Sequence, residues 1–401
     1  MDEILEVPTR IEPARLENPP EAIADLVAEI STASTRLGSK LHPKTAASLA
    51  DIVRLMNTYY SNLIEGHNTR PRDIERALSG DFDEDEGRRN LQIEAAAHVR
   101  VQAKVDRLHA EGKLPEPASA EFIRWLHREF YKGASEEMLL LKSSDTKREI
   151  LMVPGEWRSV AEHDVAVGRH LPPSSSVVEP FMNYFATRFA FAKLGAGAKI
   201  IAMATAHHRF NFIHPFPDGN GRVSRLMSHA MALDSGIGAY GLWSVSRGLA
   251  RGLESRTDYK SKMDMADMPR QGDLDGRGNL SEKALVDFTK WFLSVCLDQV
   301  SFMNELFDLE NLEKRYRRLI ETTDSLTPET YFLFREALVR GEFERGEAGR
   351  LTGLPERTAR RILNEATGQG LLASSTPKGP VSLRFPADHL EELFPKLYPV
   401  A

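Results

Sequence analysis

The segment from His214 to Arg225, HPFPDGNGRVSR, constrains the fold of this chain more than any other. A proline follows His214 directly and pushes that residue out of the helical region, so we expect the preceding helix to end there. Gly219 and Gly221 allow the backbone to turn sharply and to approach a ligand closely. Apolar residues then recur at helical spacing from Val223 onwards. The sequence therefore predicts two helices joined by a glycine-rich loop.

The same segment predicts a phosphate-binding site. The N-terminus of the second helix offers N–H groups without helical partners and the positive end of the helix dipole. Arg222 and Arg225 share one face of its first turns, where two guanidinium groups can clamp a polyphosphate. Asp218 supplies a carboxylate of the kind that Mg²⁺ prefers. The alternative is a capped turn beside surface arginines, which the combination of groups in one short frame disfavours.

Most of the remaining chain is predicted to be helical. Helical patterns cover residues 22–30, 43–65, 91–110, 178–194 and 198–213, and another begins near residue 281. Pro43 suits a first helical turn, and Gly66 is placed to cap the end of the same helix. Residues 148–173 differ, because short β-prone runs flank the pair Pro154-Gly155. This pattern predicts a β-hairpin.

The C-terminal part of the chain changes character. Helical patterns at 327–340, 347–352 and 355–369 precede strand-like runs at 371–375 and 381–385, which together predict a winged helix. The candidate recognition helix carries Arg357, Arg360 and Arg361, which can contact DNA phosphates or a major groove. Glu356 and Glu365 dilute that charge. Such modules also serve as protein-docking or dimer surfaces, so both roles stay open.

Composition is that of a soluble globular protein. The 401 residues are 41% hydrophobic and 27% charged, and the net charge of −6 gives no sign of general affinity for nucleic acid or an anionic membrane. Such a length suggests two or three domains. Cys296 is the only cysteine, so no internal disulfide can form. The N-terminus does not resemble a signal peptide, and no apolar run approaches the ~20 residues of a membrane helix. We therefore expect a cytoplasmic protein without a membrane partner.

The segment from His214 to Arg225 resembles the signature of the Fic family, His-x-Phe-x-(Asp/Glu)-Gly-Asn-Gly-Arg-x-x-Arg, without a gap. The resemblance extends over residues 40 to 295. It implies a mainly α fold, the Fic-type helical domain, with catalysis at the loop between two central helices. It also implies a protein adenylyltransferase, which moves AMP from ATP with Mg²⁺ to a Ser, Thr or Tyr hydroxyl of a target protein.

The resemblance implies roles for individual residues. His214 would be the general base that takes the proton from the target hydroxyl, and Asp218 would hold Mg²⁺. The phosphates would be bound by the residues that follow, with the β- and γ-phosphates on the two arginines: Gly219, Asn220, Gly221, Arg222, Val223, Ser224 and Arg225. Tyr259 and Asp267 fall where the family contacts the adenine, although Asp267 departs from the Asn of some relatives.

The segment Val165-Ala166-Val167-Gly168, followed by residues 169–173, resembles the Fic flap. In the family the flap docks the target segment by strand addition beside the nucleotide. We call residues 165–173 the flap. The alternative is a hairpin with a purely structural role.

The segment from Ser61 to Gly66 resembles the inhibitory motif of the family, (Ser/Thr)-x-x-x-Glu-(Gly/Asn). Glu65 ends its helix, where the dipole disfavours an anion, so it needs a cationic partner or open water. The resemblance identifies the partner as Arg225, which then cannot hold the γ-phosphate. Ser61 lies on the same helix face and can support the turn or Glu65. Because the motif precedes the catalytic segment, the chain resembles the class with an N-terminal inhibitory helix, whose members often form homodimers.

These interpretations divide the chain into four regions. They are an N-terminal helical region at 1–112 with the inhibitory helix at 43–66, a Fic catalytic domain at 118–273, a helical connector at 274–325 and a winged helix at 326–401. Two other functions stay open: a DNA-binding regulator with an accessory Fic domain, and an enzyme that removes AMP with Glu65 aligning a water. His207 and His208 are interpreted as core residues or as residues that support the side chains of the site, because no cysteine pair or His-Glu-x-x-His motif accompanies them.

Overall fold

The computed structural model describes residues 6–142 and 149–398, and the fold is mainly helical, as expected for a Fic-type domain. The helices in chain order are α1 (Glu21–Ser39), α2 (Pro43–Ile64), α3 (Pro71–Leu78), α4 (Glu86–Ala110), α5 (Ala120–Phe130), α6 (Glu136–Leu139), α7 (Val178–Arg188), α8 (Ala196–Ile213), α9 (Asn220–Asp234), α10 (Ser246–Arg251), α11 (Asp258–Ala266), α12 (Glu282–Leu306), α13 (Leu309–Thr322), α14 (Thr330–Arg340), α15 (Ala348–Thr352), α16 (Glu356–Gly368) and α17 (Leu390–Leu393). The strands are β1 (Leu140–Lys142), β2 (Glu149–Leu151), β3 (Leu372–Ala373) and β4 (Ser382–Leu383).

The described residues form two compact units. The first contains residues from 6–32, 57–238 and 244–299, and the second contains 33–56, 239–243 and 300–398. Helices α1, α2 and α12 have residues in both units. No helix in the described part of the chain is long and apolar enough to cross a membrane.

Helices α8 and α9 form the centre of the first unit. They pack against each other, while α4 and α5 pack on α9 and α7 packs on α8. Nearly every side chain from Ile200 to Ile213 and from Arg222 to Leu233 is buried. A helix enclosed on all sides has no solvated stripe. This explains why α8 carries so many small and apolar residues, and it fixes the two helix ends that the loop between α8 and α9 joins.

The boundaries predicted around α2, α8 and α9 are confirmed. Helix α2 begins at Pro43, and Gly66 follows it with a φ of 87°, in the left-handed region that suits a glycine cap. Helix α8 ends at Ile213, and His214 leaves it with a φ of 49°. Helix α9 begins at Asn220, one residue after Gly219, whose φ is 79°.

The position of the β-hairpin was predicted wrongly. The paired strands are β1 and β2, which are antiparallel with Leu141 opposite Ile150, and they precede the pair Pro154-Gly155. Gly155 instead donates its N–H to His127 Nδ1 at 2.8 Å, and its carbonyl accepts from Arg124 Nε at 2.7 Å. Side chains of α5 thus satisfy the backbone groups that a partner strand would otherwise bind.

The flap is a tight turn rather than a strand. Val167 and His170 exchange two backbone hydrogen bonds of 3.0 Å in an isolated antiparallel bridge. Gly168, with a φ of 63°, lies inside this turn. The edge expected for strand addition is therefore very short.

In the second unit the elements follow the predicted order. Helices α14, α15 and α16 are followed by β3 and β4, which pair antiparallel with Leu372 opposite Leu383. Phe343, just after α14, adds a bridge to Val381. Arg360 pairs with Glu356 at 3.2 Å, and Arg361 pairs with Glu365 at 2.6 Å. The identity of this region as a winged helix, and its partner, stay predictions.

Candidate active site

His214 lines a cavity of about 630 Å³ in the first unit. Several other residues singled out from the sequence line the same cavity: Glu65, Val167, Gly168, Gly221, Arg225, Tyr259 and Asp267. The remaining predicted site residues lie outside its lining: Ser61, Val165, Ala166, Asp218, Gly219, Asn220, Arg222, Val223 and Ser224. The structure thus brings together the inhibitory motif, the flap turn and the start of α9.

The His214 imidazole is neutral at ordinary pH. Burial lowers its pKa to about 4, and the positive charge of Arg158 and the neighbouring His170 act in the same direction. Asp218 and a hydrogen bond to the backbone of Asn211 oppose the shift only partly. A neutral imidazole with one ring nitrogen bound to a backbone group keeps the other as an acceptor. This is the protonation state that a general base needs.

Asn220 shapes the loop with its side chain. Its Oδ1 accepts from the Phe216 N–H at 2.9 Å, and its Nδ2 donates to the Phe216 carbonyl at 2.8 Å. The phenyl ring of Phe216 stacks on His127 at 3.9 Å between ring centroids. A Cβ on Gly219 would lie 2.8 Å from the hydroxyl of Tyr131. Glycine is therefore required there by both its φ and its contact with Tyr131.

Val223 and Ser224 are fully buried within α9. The Val223 N–H donates to the Gly219 carbonyl at 3.0 Å, and the Ser224 hydroxyl donates to the Gly221 carbonyl at 2.8 Å. These groups are thus engaged in the first turn of α9, and neither side chain faces the cavity.

Asp218 presents an ionised carboxylate near the start of α9. Burial acts to raise its pKa, but Arg222, the Tyr131 hydroxyl and the Gly219 N–H outweigh burial and lower it. Tyr131 donates to Oδ2 at 2.8 Å, while half of the side chain remains exposed. A single carboxylate of this kind fits Mg²⁺, which usually combines one or two carboxylates with substrate phosphates and water. The described residues contain no cluster of three or more metal-binding side chains.

Arg222 is bound by a glutamate that the sequence did not single out. Its Nη2 donates to Glu94 Oε2 at 2.9 Å, and its Nη1 donates to the Tyr131 hydroxyl at 3.2 Å. The guanidinium group also lies over the ring of Phe130, 5.4 Å from its centroid. Burial raises the pKa of Glu94, with Asp218 and Glu65 adding to the effect and Arg222 opposing it.

Arg225 is bound by the two residues of the predicted inhibitory motif. Its side chain is 1% exposed, and Nη2 donates to Glu65 Oε1 at 2.6 Å. Ser61 accepts from Nε at its hydroxyl, 2.9 Å away, and from Nη2 at its carbonyl, 3.2 Å away. Burial acts to raise the pKa of Glu65, but Arg225 and then Arg222 outweigh it and lower the pKa. The carboxylate is therefore charged when it holds the arginine.

Gly221 leaves room for that glutamate. A Cβ at this position would lie 2.5 Å from Glu65 Oε1 and 3.0 Å from Arg225 Nη1. The sequence suggested close approach of a ligand as the reason for this glycine. In the structure the group that approaches is the Glu65 carboxylate.

Tyr259 lies on α11 and Asp267 directly follows that helix, and both side chains have partners. The Tyr259 hydroxyl bonds His207 Nε2 at 2.8 Å, and burial raises the pKa of Tyr259 to about 12. Asp267 lies 3.2 Å from His208 Nε2 and 3.4 Å from His170 Nδ1. Both carry groups that can meet a ligand, although each is already engaged with histidines.

His207 and His208 are fully buried residues of α8. His207 bonds Ser228 through Nδ1 at 2.9 Å, while His208 faces Asp267. Burial lowers the pKa of His207 to about 3 and also lowers that of His208. Both positions agree with their interpretation as core histidines.

The sequence comparisons with known proteins cover only part of this chain. Residues 117–232 match the model of the Fic/DOC family. The chain is similar to the protein adenylyltransferase Fic of Aedes aegypti, at 34% identity over 82 residues, which is 20% of this chain and 16% of the relative. The protein of the same name from Nematostella vectensis is 34% identical over 83 residues, covering 21% and 19% respectively. The chain therefore spans less than a fifth of the length of these curated relatives.

Two solved structures share the fold. A Fic family protein from Desulfovibrio desulfuricans G20 superposes with a TM-score of 0.52 at 18% identity, over 92% of this chain and 97% of its own. A Fic domain containing signaling protein from Bacteroides thetaiotaomicron gives a TM-score of 0.50 at 17% identity, over 71% and 97%. The sequence match and the common fold lead to one conclusion: residues 117–232 of this chain are similar to the Fic/DOC family, within a fold that Fic proteins share.

Proposed function

We propose that this chain transfers AMP from ATP to a hydroxyl side chain of a target protein, and that Glu65 restrains the transfer. One observation carries the proposal: the neutral His214 imidazole and the Arg225 guanidinium line one cavity, with Glu65 bound to that arginine. Relatives matched over part of the chain are named protein adenylyltransferases, which supports ATP as the nucleotide.

The chemistry requires little more than positioning and charge neutralisation. His214 takes the proton of the target hydroxyl, whose oxygen attacks the α-phosphorus of ATP. The bond between the α-phosphorus and the oxygen bridging to the β-phosphate breaks, and pyrophosphate leaves. Arg222 and Arg225 bind the charge that develops on the leaving group. Asp218 would hold Mg²⁺, which would neutralise phosphate charge.

The restraint follows from competition for Arg225. While Glu65 accepts from Nη2, the same N–H cannot bind a γ-phosphate. Ser61 accepts hydrogen bonds from Nε and Nη2 of the same arginine, so the guanidinium group is held towards α2. ATP then has to displace a charged, partly buried carboxylate before its phosphates can align for transfer.

The test is labelling of a cell lysate with radioactive ATP and Mg²⁺ by the full chain and by Glu65→Gly. We expect the variant to label itself and lysate proteins at least about tenfold faster, because Arg225 becomes available to the γ-phosphate at a gain of more than 1.4 kcal/mol. Glu129→Gln is the control, since Glu129 is another partly buried glutamate, and it pairs with Lys104.

The outcomes separate the parts of the proposal. Labelling that is equal in Glu65→Gly, Glu129→Gln and the wild-type chain would contradict the restraint. If the double variant Glu65→Gly, His214→Ala still labels proteins, His214 is not the general base of the transfer. Mass spectrometry of the labelled proteins identifies the modified hydroxyl.

A further inference from the structure

The backbone of His214 is held in a sterically disfavoured conformation. Its φ of 49° and ψ of 61° place it in the left-handed region, although it carries a Cβ. Such a conformation persists only where the surrounding contacts determine it. The residues that hold this backbone therefore also decide where the imidazole points.

Arg158 provides these contacts. Its Nε donates to the His214 carbonyl at 2.7 Å, and its Nη2 donates to the Ile213 carbonyl at 3.0 Å. Its own backbone N–H donates to the Pro215 carbonyl at 2.9 Å. The carbonyls that end α8 lack helical partners and form the negative end of its dipole, so a guanidinium group satisfies them well. Arg158 thus binds three successive residues centred on His214.

The same guanidinium group also holds both ends of the flap. At its C-terminal end, Nη2 donates to the carbonyl of Pro173 at 2.5 Å, and Nη1 donates to the hydroxyl of Ser175, just beyond the flap, at 3.1 Å. At its N-terminal end, Asp164 lies 3.6 Å from Nη1 and accepts from the Ser175 N–H at 2.7 Å. The Arg158 side chain is 1% exposed, so these partners replace water around it.

We propose that Arg158 is a positioning residue, whose guanidinium group sets the direction of the His214 imidazole and the place of the flap beside it. Its kinetic consequence rests on the proposed adenylyl transfer. Its structural consequence does not, because the hydrogen bonds to Ile213, His214 and Pro173 exist whatever the reaction is.

The charged and titratable groups that face His214 come from two sides. Arg158 and His170 belong to the flap side, and Asp218 belongs to the loop before α9. After burial, the charge of Arg158 is the largest influence that lowers the pKa of His214. Replacement of Arg158 therefore changes both the direction of the imidazole and its protonation.

The kinetic test uses the full chain with Glu65→Gly, to which Arg158→Lys or Arg158→Met is added. We expect kcat for AMP transfer to fall by about 10²-fold, the usual effect of a misplaced catalytic group. The KM for ATP stays within about twofold, because the arginines of α9 that are proposed to bind phosphate are unchanged. Arg315→Lys is the matched control, since Arg315 also binds three backbone carbonyls, those of Leu306, Asn311 and Leu393, in the second unit.

Chemical rescue provides a second kinetic readout. In Arg158→Ala, millimolar guanidinium chloride should restore part of kcat, and the effect should saturate as its concentration rises. Urea has a similar shape but no charge, so it should not restore kcat. A fall in kcat with no rescue by guanidinium, or a rise in the KM for ATP at unchanged kcat, would overturn the proposal.

A third readout needs no activity. The chain is labelled with ¹³C-histidine, and the His214 signal is identified by its loss in His214→Asn. We expect Arg158→Lys, which keeps a cation and should fold, to move the His214 signal and its titration midpoint, while Arg315→Lys leaves both in place. An unmoved His214 signal in a folded Arg158→Lys would refute the positioning role. If Glu65→Gly transfers no AMP, the proposed function fails but this measurement still decides the role of Arg158.

Discussion

At the scale of single residues, the site is governed by two glutamates that each bind one arginine of α9. Glu65 holds Arg225 and Glu94 holds Arg222, at 2.6 Å and 2.9 Å. The two pairs differ in protonation. The pKa of Glu65 is lowered, because its arginine outweighs burial, whereas the pKa of Glu94 is raised, because burial outweighs its arginine. Glu94 is therefore the carboxylate that more readily becomes neutral beside a polyphosphate.

The first residue-scale prediction concerns Glu94→Gln. Glutamine can still accept a hydrogen bond from Arg222, but it removes a negative charge that would repel the phosphates. We expect ATP to bind about five- to thirtyfold more tightly, which corresponds to about 1–2 kcal/mol for one partly screened charge. Isothermal titration with Mg²⁺-ATP measures the change, and Glu129→Gln is again the control. Weaker binding would show that Glu94 orients Arg222 for the phosphates.

A second residue-scale prediction concerns the dependence of stability on pH. The folded pKa of Glu65 is lowered, so its ion pair contributes stability above the unfolded pKa of about 4.3, and the contribution is lost as pH falls through the folded pKa. Glu65→Gln should therefore destabilise the chain by about 1–3 kcal/mol at pH 7, leaving Arg225 without its anion. Urea unfolding at pH 7 and pH 3 tests this. A difference that does not shrink at pH 3 would contradict it.

The sequence revealed those site residues that belong to a recognisable motif, and missed those that belong to none. The pairing of Glu65 with Arg225 was expected from the motif resemblance. The pairing of Glu94 with Arg222 was not expected, because Glu94 belongs to no motif and its partner lies far along the chain. A weak signal does exist: Glu94, His98 and Gln102 recur every four residues on α4, and His98 and Gln102 face Thr58 and Asn57. No sequence pattern indicated the role of Arg158, since only the folded backbone shows which carbonyls it binds.

At the scale of elements, the helices and the C-terminal strand pair were predictable, and the β-hairpin of the first unit was not. Helices α2, α8 and α9 have proline, glycine and apolar spacing that fix their boundaries locally. The turn at Gly155 was mistaken for a hairpin turn because its partners, His127 and Arg124, come from α5. Pro-Gly pairs indicate a turn, but whether strands flank it depends on distant side chains that no local pattern contains.

The element-scale prediction compares two glycines with positive φ. Gly155 has a φ of 85°, and a Cβ there would lie 3.0 Å from the Arg124 carbonyl. Gly133 has a φ of 89°, but a Cβ there would meet nothing within 4 Å. Both alanine variants pay the cost of left-handed backbone, about 1–2 kcal/mol. Gly155→Ala should cost about 1 kcal/mol more, because α5 must shift. Urea unfolding measures both, and equal losses would show that the turn is not tied to α5.

At the scale of the whole molecule, the cavity belongs entirely to the first unit. The match to the Fic/DOC family ends at residue 232, so it includes His214 and both arginines but neither Glu65 nor Tyr259. The proposed restraint and the predicted adenine contact at Tyr259 thus involve residues outside the matched segment. A ligand that binds only the folded state raises its stability. The gain in stability with nucleotide therefore also depends on residues outside the matched segment.

The whole-molecule prediction uses nucleotide-dependent thermal stability. In a His214→Ala background, which we expect to prevent transfer, Mg²⁺-ATP should raise the Tm of the Glu65→Gly chain more than that of the chain with Glu65 intact. Only the former leaves Arg225 open to the γ-phosphate, and tighter binding to the folded state raises Tm by mass action. ADP has no γ-phosphate, so its effect on the two chains should be equal. This contrast separates competition for Arg225 from a general loosening of the site, because loosening would change the response to both nucleotides. If Glu65→Gly changes the Tm response to ATP and the Tm response to ADP by the same amount, Glu65 does not compete with the γ-phosphate.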